Sequence, residues 1–215
     1  MKQFVVVGLG RFGHSLAQTL AENGHNVLAI DKREDRVQEI ADLVTHAVEA
    51  DATDEDALKT LGVRNFDVAI VSIGDNIHAN ILTTLILKEL GIPYVIVKAQ
   101  DTLHGKVLTK VGADRVVYPE RDMGVRIAHN LISSNVLDYI EFAPDYSVVE
   151  VISTPSMVGK TLSQLDLRSK YGVNVMAIKR GQELNMSPGA KDKLLEGDVL
   201  IVMGKNENLN QVKEL

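Results

Sequence analysis

At 215 residues, 45% of them hydrophobic, with a net charge of -6, the chain is long enough for one ample domain, or for one plus a smaller second. The acidic balance excludes a general nucleic-acid binder, because a grip on a phosphate backbone needs a basic surface. Cysteine is absent, which excludes disulfides and thiolate chemistry. No signal-peptide pattern precedes the first strand-like run, and no apolar run reaches the ~18 residues of a membrane span.

The first strand-like run is Gln3–Val7, and others follow at Asn26–Ile30, Thr45–Glu49, Asp67–Val71, Tyr94–Lys98 and Arg115–Tyr118. Helical patterns lie between them at Phe12–Asn23, Glu34–Leu43, Asp54–Leu61, Ile77–Leu90 and Thr102–Val111. Val and Ile runs without polar alternation suit strands buried on both faces of a parallel sheet. Strands alternating with helices predict right-handed βαβ units. The first fold class is therefore α/β, a doubly wound parallel sheet with strand order 3-2-1-4-5-6.

The rhythm changes after Pro119. Glu120–Ser134 is a helical pattern whose Met123, Ile127 and Leu131 form a stripe, either a subunit contact or part of its own core. Strands are expected at Val148–Ser153, Asn174–Lys179, Glu183–Ser187 and Val199–Met203, with one helix at Thr161–Tyr171 and a short one closing the chain. Arg180-Gly181-Gln182 reads as a hairpin turn. Two domains are expected, residues 1–135 as the Rossmann-like part and 136–215 as a small α+β domain.

Gly8, Gly10 and Gly13 match G-x-G-x-x-G directly after a strand and at the opening of a helix, the context that makes this pattern a Rossmann-like phosphate loop. Gly8 permits a tight turn, Gly10 lets a phosphate approach the backbone, and Gly13 lets helix and strand pack closely. The helix N-terminus offers free N–H groups to the anion. Asp31 ends the second strand, where a carboxylate accepts from ribose hydroxyls and repels a 2′-phosphate; it could equally cap the next helix. Asp51-Ala52-Thr53 follows the third strand at the adenine position of such a fold, with helix capping as the alternative for Thr53. Arg11 is not needed by a loop that holds a diphosphate through backbone alone; a guanidinium there reaches a further phosphoryl group, unless it is only a solvated surface arginine.

Other motifs fail. Val158-Gly159-Lys160-Thr161 resembles the end of a phosphate-binding G-x-x-x-x-G-K-[ST] loop, but position 154 is threonine, so Lys160-Thr161 reads as a helix start. The six histidines form no metal-ligand pair. No G-x-S-x-G elbow exists, and the part beyond the nucleotide domain is too small for a substrate-closing catalytic domain.

These residues resemble the regulatory, gating subunits of bacterial Ktr/Trk-type potassium uptake systems, built from RCK (regulator of conductance of potassium), or KTN, domains. The resemblance covers nearly the whole chain and is closest to the cytosolic Ktr subunits. Its carriers are GLGRFG at Gly8–Gly13, ID at Ile30-Asp31, DATDED at Asp51–Asp56 and ILTTLILKELG at Ile81–Gly91. It continues with VKAQ at Val97–Gln100, YPERDMG at Tyr118–Gly124, NVLDYIE at Asn135–Glu141 and KYGVNVMAIKRG at Lys170–Gly181. His14, and Ala50 where glycine is common, depart from the pattern.

The resemblance implies adenine-nucleotide binding, chiefly ATP and ADP, with NAD(H) also accepted. The implied site is Gly8, Gly10, Arg11, Phe12, Gly13, Asp31, Lys32, Asp51, Ala52, Thr53 and Lys98. Arg11 would contact the terminal phosphate, within its chain or across a dimer interface. Glu120 matches a carboxylate that helps bind Mg2+ or Ca2+ between subunits. An octameric ring of dimers is implied under an integral-membrane potassium transporter, on the cytoplasmic side, active with ATP and inactive with ADP. The second domain is similar to one that binds cyclic di-AMP as an inhibitor. There Arg168 would pair with phosphate, Asn174 hydrogen-bond a base or phosphate, Val175 wall the adenine and Pro188 cap the pocket; a helix-end ion pair, a turn cap and a core valine are the structural alternatives. The remaining functional alternative is a small NAD-dependent oxidoreductase.

Overall fold

The structure, a computed structural model, describes residues 2–132, 136–143 and 145–213. The chain divides into two compact units, Met1–Glu120 and Arg121–Leu215. The sequence reading draws its boundary later, at 135/136.

In the first unit, β1 (Gln3–Val7), β2 (Asn26–Asp31), β3 (His46–Glu49), β4 (Val68–Val71), β5 (Tyr94–Lys98) and β6 (Arg115–Val117) form one sheet of order β3-β2-β1-β4-β5-β6. Every pairing in it is parallel, with Val5 beside Leu28 on one flank and Ala69 on the other. The helices are α1 (Arg11–Glu22), α2 (Glu34–Ile40), α3 (Glu55–Thr60), α4 (Ile77–Glu89) and α5 (Thr102–Val111). Successive strand residues point to opposite faces. Val6, Val27, Ala29 and Ile70 pack with Ala17 of α1 and Val37 and Ile40 of α2. Val5, Val7, Ile30, Val71 and Val97 pack on the other face with Leu58 of α3, Leu87 of α4 and Leu108 of α5. Helices on both faces explain why the strands read as unbroken apolar runs. The winding reverses between β1 and β4, and a crevice opens at their carboxyl ends.

Helix α6 (Pro119–Ile132) has its first two residues in the first unit and the rest in the second. Met123, Ile127 and Leu131 are 50%, 50% and 79% exposed, so the stripe is not buried within this chain. The expected end of that helix, at 133–134, lies outside the described residues, as do Asn135 and Pro144.

An antiparallel sheet follows, of order β10-β9-β11-β8-β7. Its strands are β7 (Val136–Ala143), β8 (Tyr146–Ile152), β9 (Asn174–Arg180), β10 (Glu183–Asn185) and β11 (Val199–Lys205). Strand β7 is a correction to the sequence reading, which left that stretch unassigned. Strand β10 is shorter than expected because Asn185 turns the chain, its Oδ1 accepting from the Ser187 N–H at 3.1 Å. The hairpin turn falls where expected, with Arg180 opposite Glu183 and Gly181 at φ 57.

The expected helix Thr161–Tyr171 is two, α7 (Leu162–Leu165) and α8 (Leu167–Tyr171), broken at Asp166, whose φ is 46. Thr161 does start α7, in a reciprocal capping box with Gln164. Helix α9 (Asn206–Lys213) comes last. Val149, Leu167, Leu200 and Leu209 share this unit's core. The carboxylate of Asp198, fully buried, takes both forks of Arg180 at 2.8 Å and the Leu195 N–H at 2.8 Å. This bidentate pair locks β9 to the turn before β11 and holds the Asp198 carboxyl below its ordinary range.

Candidate functional site

The crevice between the ends of β1 and β4 is a cleft of about 470 Å3 within the first unit. All but one of the nucleotide-site residues read from the sequence line it: Gly8, Gly10, Arg11, Phe12, Asp31, Lys32, Asp51, Ala52, Thr53 and Lys98. Gly13 lies beneath, packing the loop. Its φ is not positive, yet a Cβ there would stand 1.9 Å from the carbonyl oxygen of Gly8. Gly8 has φ 90, which L side chains rarely adopt, and its Cβ would meet the Ile73 amide. Gly10 is different, because a Cβ there meets nothing within 4 Å and would project into open space. Helix α1 starts at Gly10 with no side-chain cap, so its first-turn amides lack intrahelical acceptors. An anion above Gly10 would satisfy them.

On the β2–β3 side stands Asp31, 5% exposed. It does not cap α2, whose N-cap is Arg33. Its carboxylate instead accepts from the Leu9 N–H at 2.7 Å, the Arg33 N–H at 3.0 Å and the Arg36 guanidinium at 3.1 Å. Asp31 therefore ties the glycine loop to the second strand while facing the cleft. Asp51 accepts from both the amide (2.9 Å) and hydroxyl (2.7 Å) of Thr53, which lowers its pKa. The cap of α3 is Asp54, accepting from the amides of Asp56 and Ala57, so Thr53 is not the cap. Ala52 is buried at the cleft wall, and the hydroxyl of Thr83 donates to its carbonyl at 3.1 Å.

On the β5–β6 side Lys98, with a side chain 14% exposed, reaches Glu120 at 2.5 Å. The Lys98 ammonium, and to a lesser degree the nearby Arg11, hold the Glu120 carboxyl below its ordinary range. Among the described residues no three His, Cys, Asp or Glu side chains gather as a cation site. The Glu120 carboxylate is itself paired to Lys98.

Sequence reasoning missed the segment after β4. Ser72, Ile73, Gly74, Asp75 and Asn76 line the cleft, as do Arg36 and His78. The strand order carried the signal, since β4 lies beside β1 and its C-terminal loop must border the glycine loop. Asn80, fully buried, fixes this loop by donating to the carbonyls of Ile73 (2.7 Å) and Lys98 (3.1 Å).

In the second unit Arg168 and Asn174 are exposed, while Val175 is half-buried against the core. Neither the helix-end ion pair nor the turn cap considered for Arg168 and Asn174 occurs among the described residues. Pro188 is half-buried in the segment after β10, where Asn185 and the Gly189 amide both donate to Asp192.

The fold and cleft define a Rossmann-type nucleotide-binding unit followed by a small antiparallel unit. Models of the TrkA-N domain and the TrkA-C domain match residues 4–119 and 147–215. The chain is 52% identical over 213 residues to Ktr system potassium uptake protein C of Bacillus subtilis, covering 99% of this chain and 96% of that protein. Among solved structures it is similar to the GsuK channel bound to NAD, at 25% identity and TM-score 0.55, covering 100% of this chain and 38% of that one. The GsuK structure bound to ADP is also similar, at 27% identity and TM-score 0.51, covering 61% of this chain and 34% of that one.

The chain belongs to the TrkA-N/TrkA-C family of regulatory subunits of Ktr-type potassium uptake systems. It is a regulatory protein and not an enzyme, which sets aside the oxidoreductase alternative. Among the described residues no helix is long and apolar enough to cross a membrane.

Proposed function

We propose that the chain is the cytoplasmic sensor that gates an integral-membrane potassium transporter, with ATP favouring the active state and ADP the inactive one. The observation that carries this reading is the arrangement of charge around the glycine loop. Asp31, Arg11 and Lys98 all line the cleft, so a carboxylate suited to a ribose and two cations suited to phosphates border the same space. A third phosphate would meet these cations and compete with Glu120 for Lys98. A differential contact of that kind supplies coupling of roughly 1–3 kcal/mol per site, which a symmetric ring of subunits adds together.

The binding of NAD and ADP by the GsuK structures supports nucleotide occupancy of the cleft. An octameric ring of dimers on the inner face of the membrane, a Mg2+ or Ca2+ ion shared through Glu120, and inhibition by cyclic di-AMP at Arg168, Asn174, Val175 and Pro188 complete the proposal. These finer points rest on the family resemblance.

The test is calorimetric titration of the purified chain with ATP, ADP and NADH, joined to light scattering with and without ATP. ATP and ADP are expected to bind, with assembly mass or shape differing between them. Failure of all three nucleotides to bind at millimolar concentration would remove the reading.

A further inference from the structure

Arg36 is assigned by neither the glycine motif nor the family pattern, yet it lines the cleft beside the ribose carboxylate. Its guanidinium stands 3.1 Å from Oδ2 of Asp31, with side-chain exposures of 30% for the arginine and 4% for the aspartate. The arginine therefore runs from a buried carboxylate to the mouth of the cleft. A carboxylate has about four acceptor positions, two on each oxygen. Oδ2 receives the Leu9 N–H at 2.7 Å as well as Arg36, and Oδ1 receives the Arg33 N–H at 3.0 Å. The protein fills Oδ2 and leaves one position on Oδ1. Because Arg36 lines the cleft, the position it occupies on Oδ2 is one that a ligand would otherwise reach.

We propose that Arg36 is a positioning residue for ribose recognition: by saturating Oδ2 of Asp31 it leaves only Oδ1 to the ligand, so that the site reads one ribose hydroxyl instead of the 2′,3′ pair. The proposal rests on the reading of the cleft as a nucleotide site. The ion pair has a second effect. It offsets the negative charge of Asp31 toward the phosphates of the same ligand.

The experiment is titration of the full chain with ATP, 2′-deoxyATP and 3′-deoxyATP. Wild type is expected to lose about tenfold in affinity with one analogue, the scale of one hydrogen bond to a charged group, and less than about twofold with the other. In Arg36→Met the vacated position on Oδ2 takes the second hydroxyl, and both analogues are expected to fall about tenfold below ATP. Loss of the arginine's charge weakens all three ligands together and cancels in these ratios. Arg36→Lys, which returns a cation to Oδ2, is expected to restore the asymmetry, and circular dichroism melts check that each variant is folded.

Equal losses for the two analogues in wild type overturn the proposal without any variant. So does an asymmetry unchanged in Arg36→Met. Asp31→Ala separates the two readings, because it should still bind ATP, weakly, and abolish all discrimination. Discrimination retained in Asp31→Ala would place the ribose elsewhere and sink the role of Arg36, with the nucleotide site left standing. Absence of ATP binding by wild type would sink both.

Discussion

Gly10 and Gly13, the two glycines of the loop proposed to hold a phosphate, differ in what an added methyl group would meet, and Gly→Ala at each should separate binding from stability. In Gly13→Ala the new Cβ would start 1.9 Å from the Gly8 carbonyl oxygen, and that gap must open to about 3.4 Å. The obstacle is backbone, so relief requires moving the first turn of α1 away from the loop. Overpacking of this kind costs about 1–3 kcal/mol. The helix-propensity gain of alanine over glycine returns at most about 1 kcal/mol. A net loss of about 1–2 kcal/mol corresponds to several degrees in the melting of a chain this size, at about 2–4 °C per kcal/mol. The displaced amides also lose their aim, so ATP affinity should fall together with stability.

In Gly10→Ala the methyl group meets nothing within 4 Å and the backbone φ is -64, which alanine adopts freely. The melt should match wild type within about 0.5 kcal/mol, while ATP affinity falls at least about tenfold because the methyl group stands where a phosphate must approach. Thermal melts of the apo proteins and calorimetric ATP titrations read both quantities. Wild-type ATP affinity in Gly10→Ala would refute the placement of the phosphate. A wild-type melt for Gly13→Ala would refute the close helix–loop contact.

Arg11→Ala should weaken ATP about tenfold more than ADP, one charge-assisted bond to the outer phosphate; titrations giving equal losses would reduce Arg11 to a general anion contact. Glu120→Gln should blunt the effect of Mg2+ or Ca2+ on the ATP-bound state and leave metal-free ATP binding nearly intact, read as ATP affinity at varied divalent concentration. Asp198→Asn should destabilise the second unit by about 1.5–3 kcal/mol at neutral pH. Because the folded carboxyl titrates below its ordinary range, that stabilisation is present above the unfolded value of about 3.9 and is lost as pH falls through the folded one; denaturant melts of wild type and variant should therefore draw together as pH is lowered below the ordinary carboxylate range. Arg168→Ala should cut cyclic di-AMP affinity at least about tenfold and leave ATP binding unchanged, as measured by titration with each ligand.

The doubly wound sheet was legible because its determinants are local and repeated. Val-rich runs such as Gln3–Val7 can be satisfied only when both faces are covered, and the glycine spacing at 8, 10 and 13 describes a single turn of chain. Asp31 was legible for the same reason, as the acidic end of the strand after that turn. What tertiary structure decided is which of several possible partners each polar group takes. Asp31 could cap α2 or face the cleft, and the fold sets it facing the cleft, held there by Leu9, Arg33 and Arg36.

The Ser72–Asn76 wall of the cleft carries no motif and becomes visible only when β4 lies beside β1. Asp166 breaks the helix at 161–171 through a left-handed backbone that its side chain did not announce. Strand β7 pairs with the strand that follows it, Ala143 opposite Tyr146, and adds an edge to β8, whose other edge is held by β11. Local periodicity reports what a segment prefers, whereas hydrogen-bond partners are chosen by competition among groups brought together from different parts of the chain.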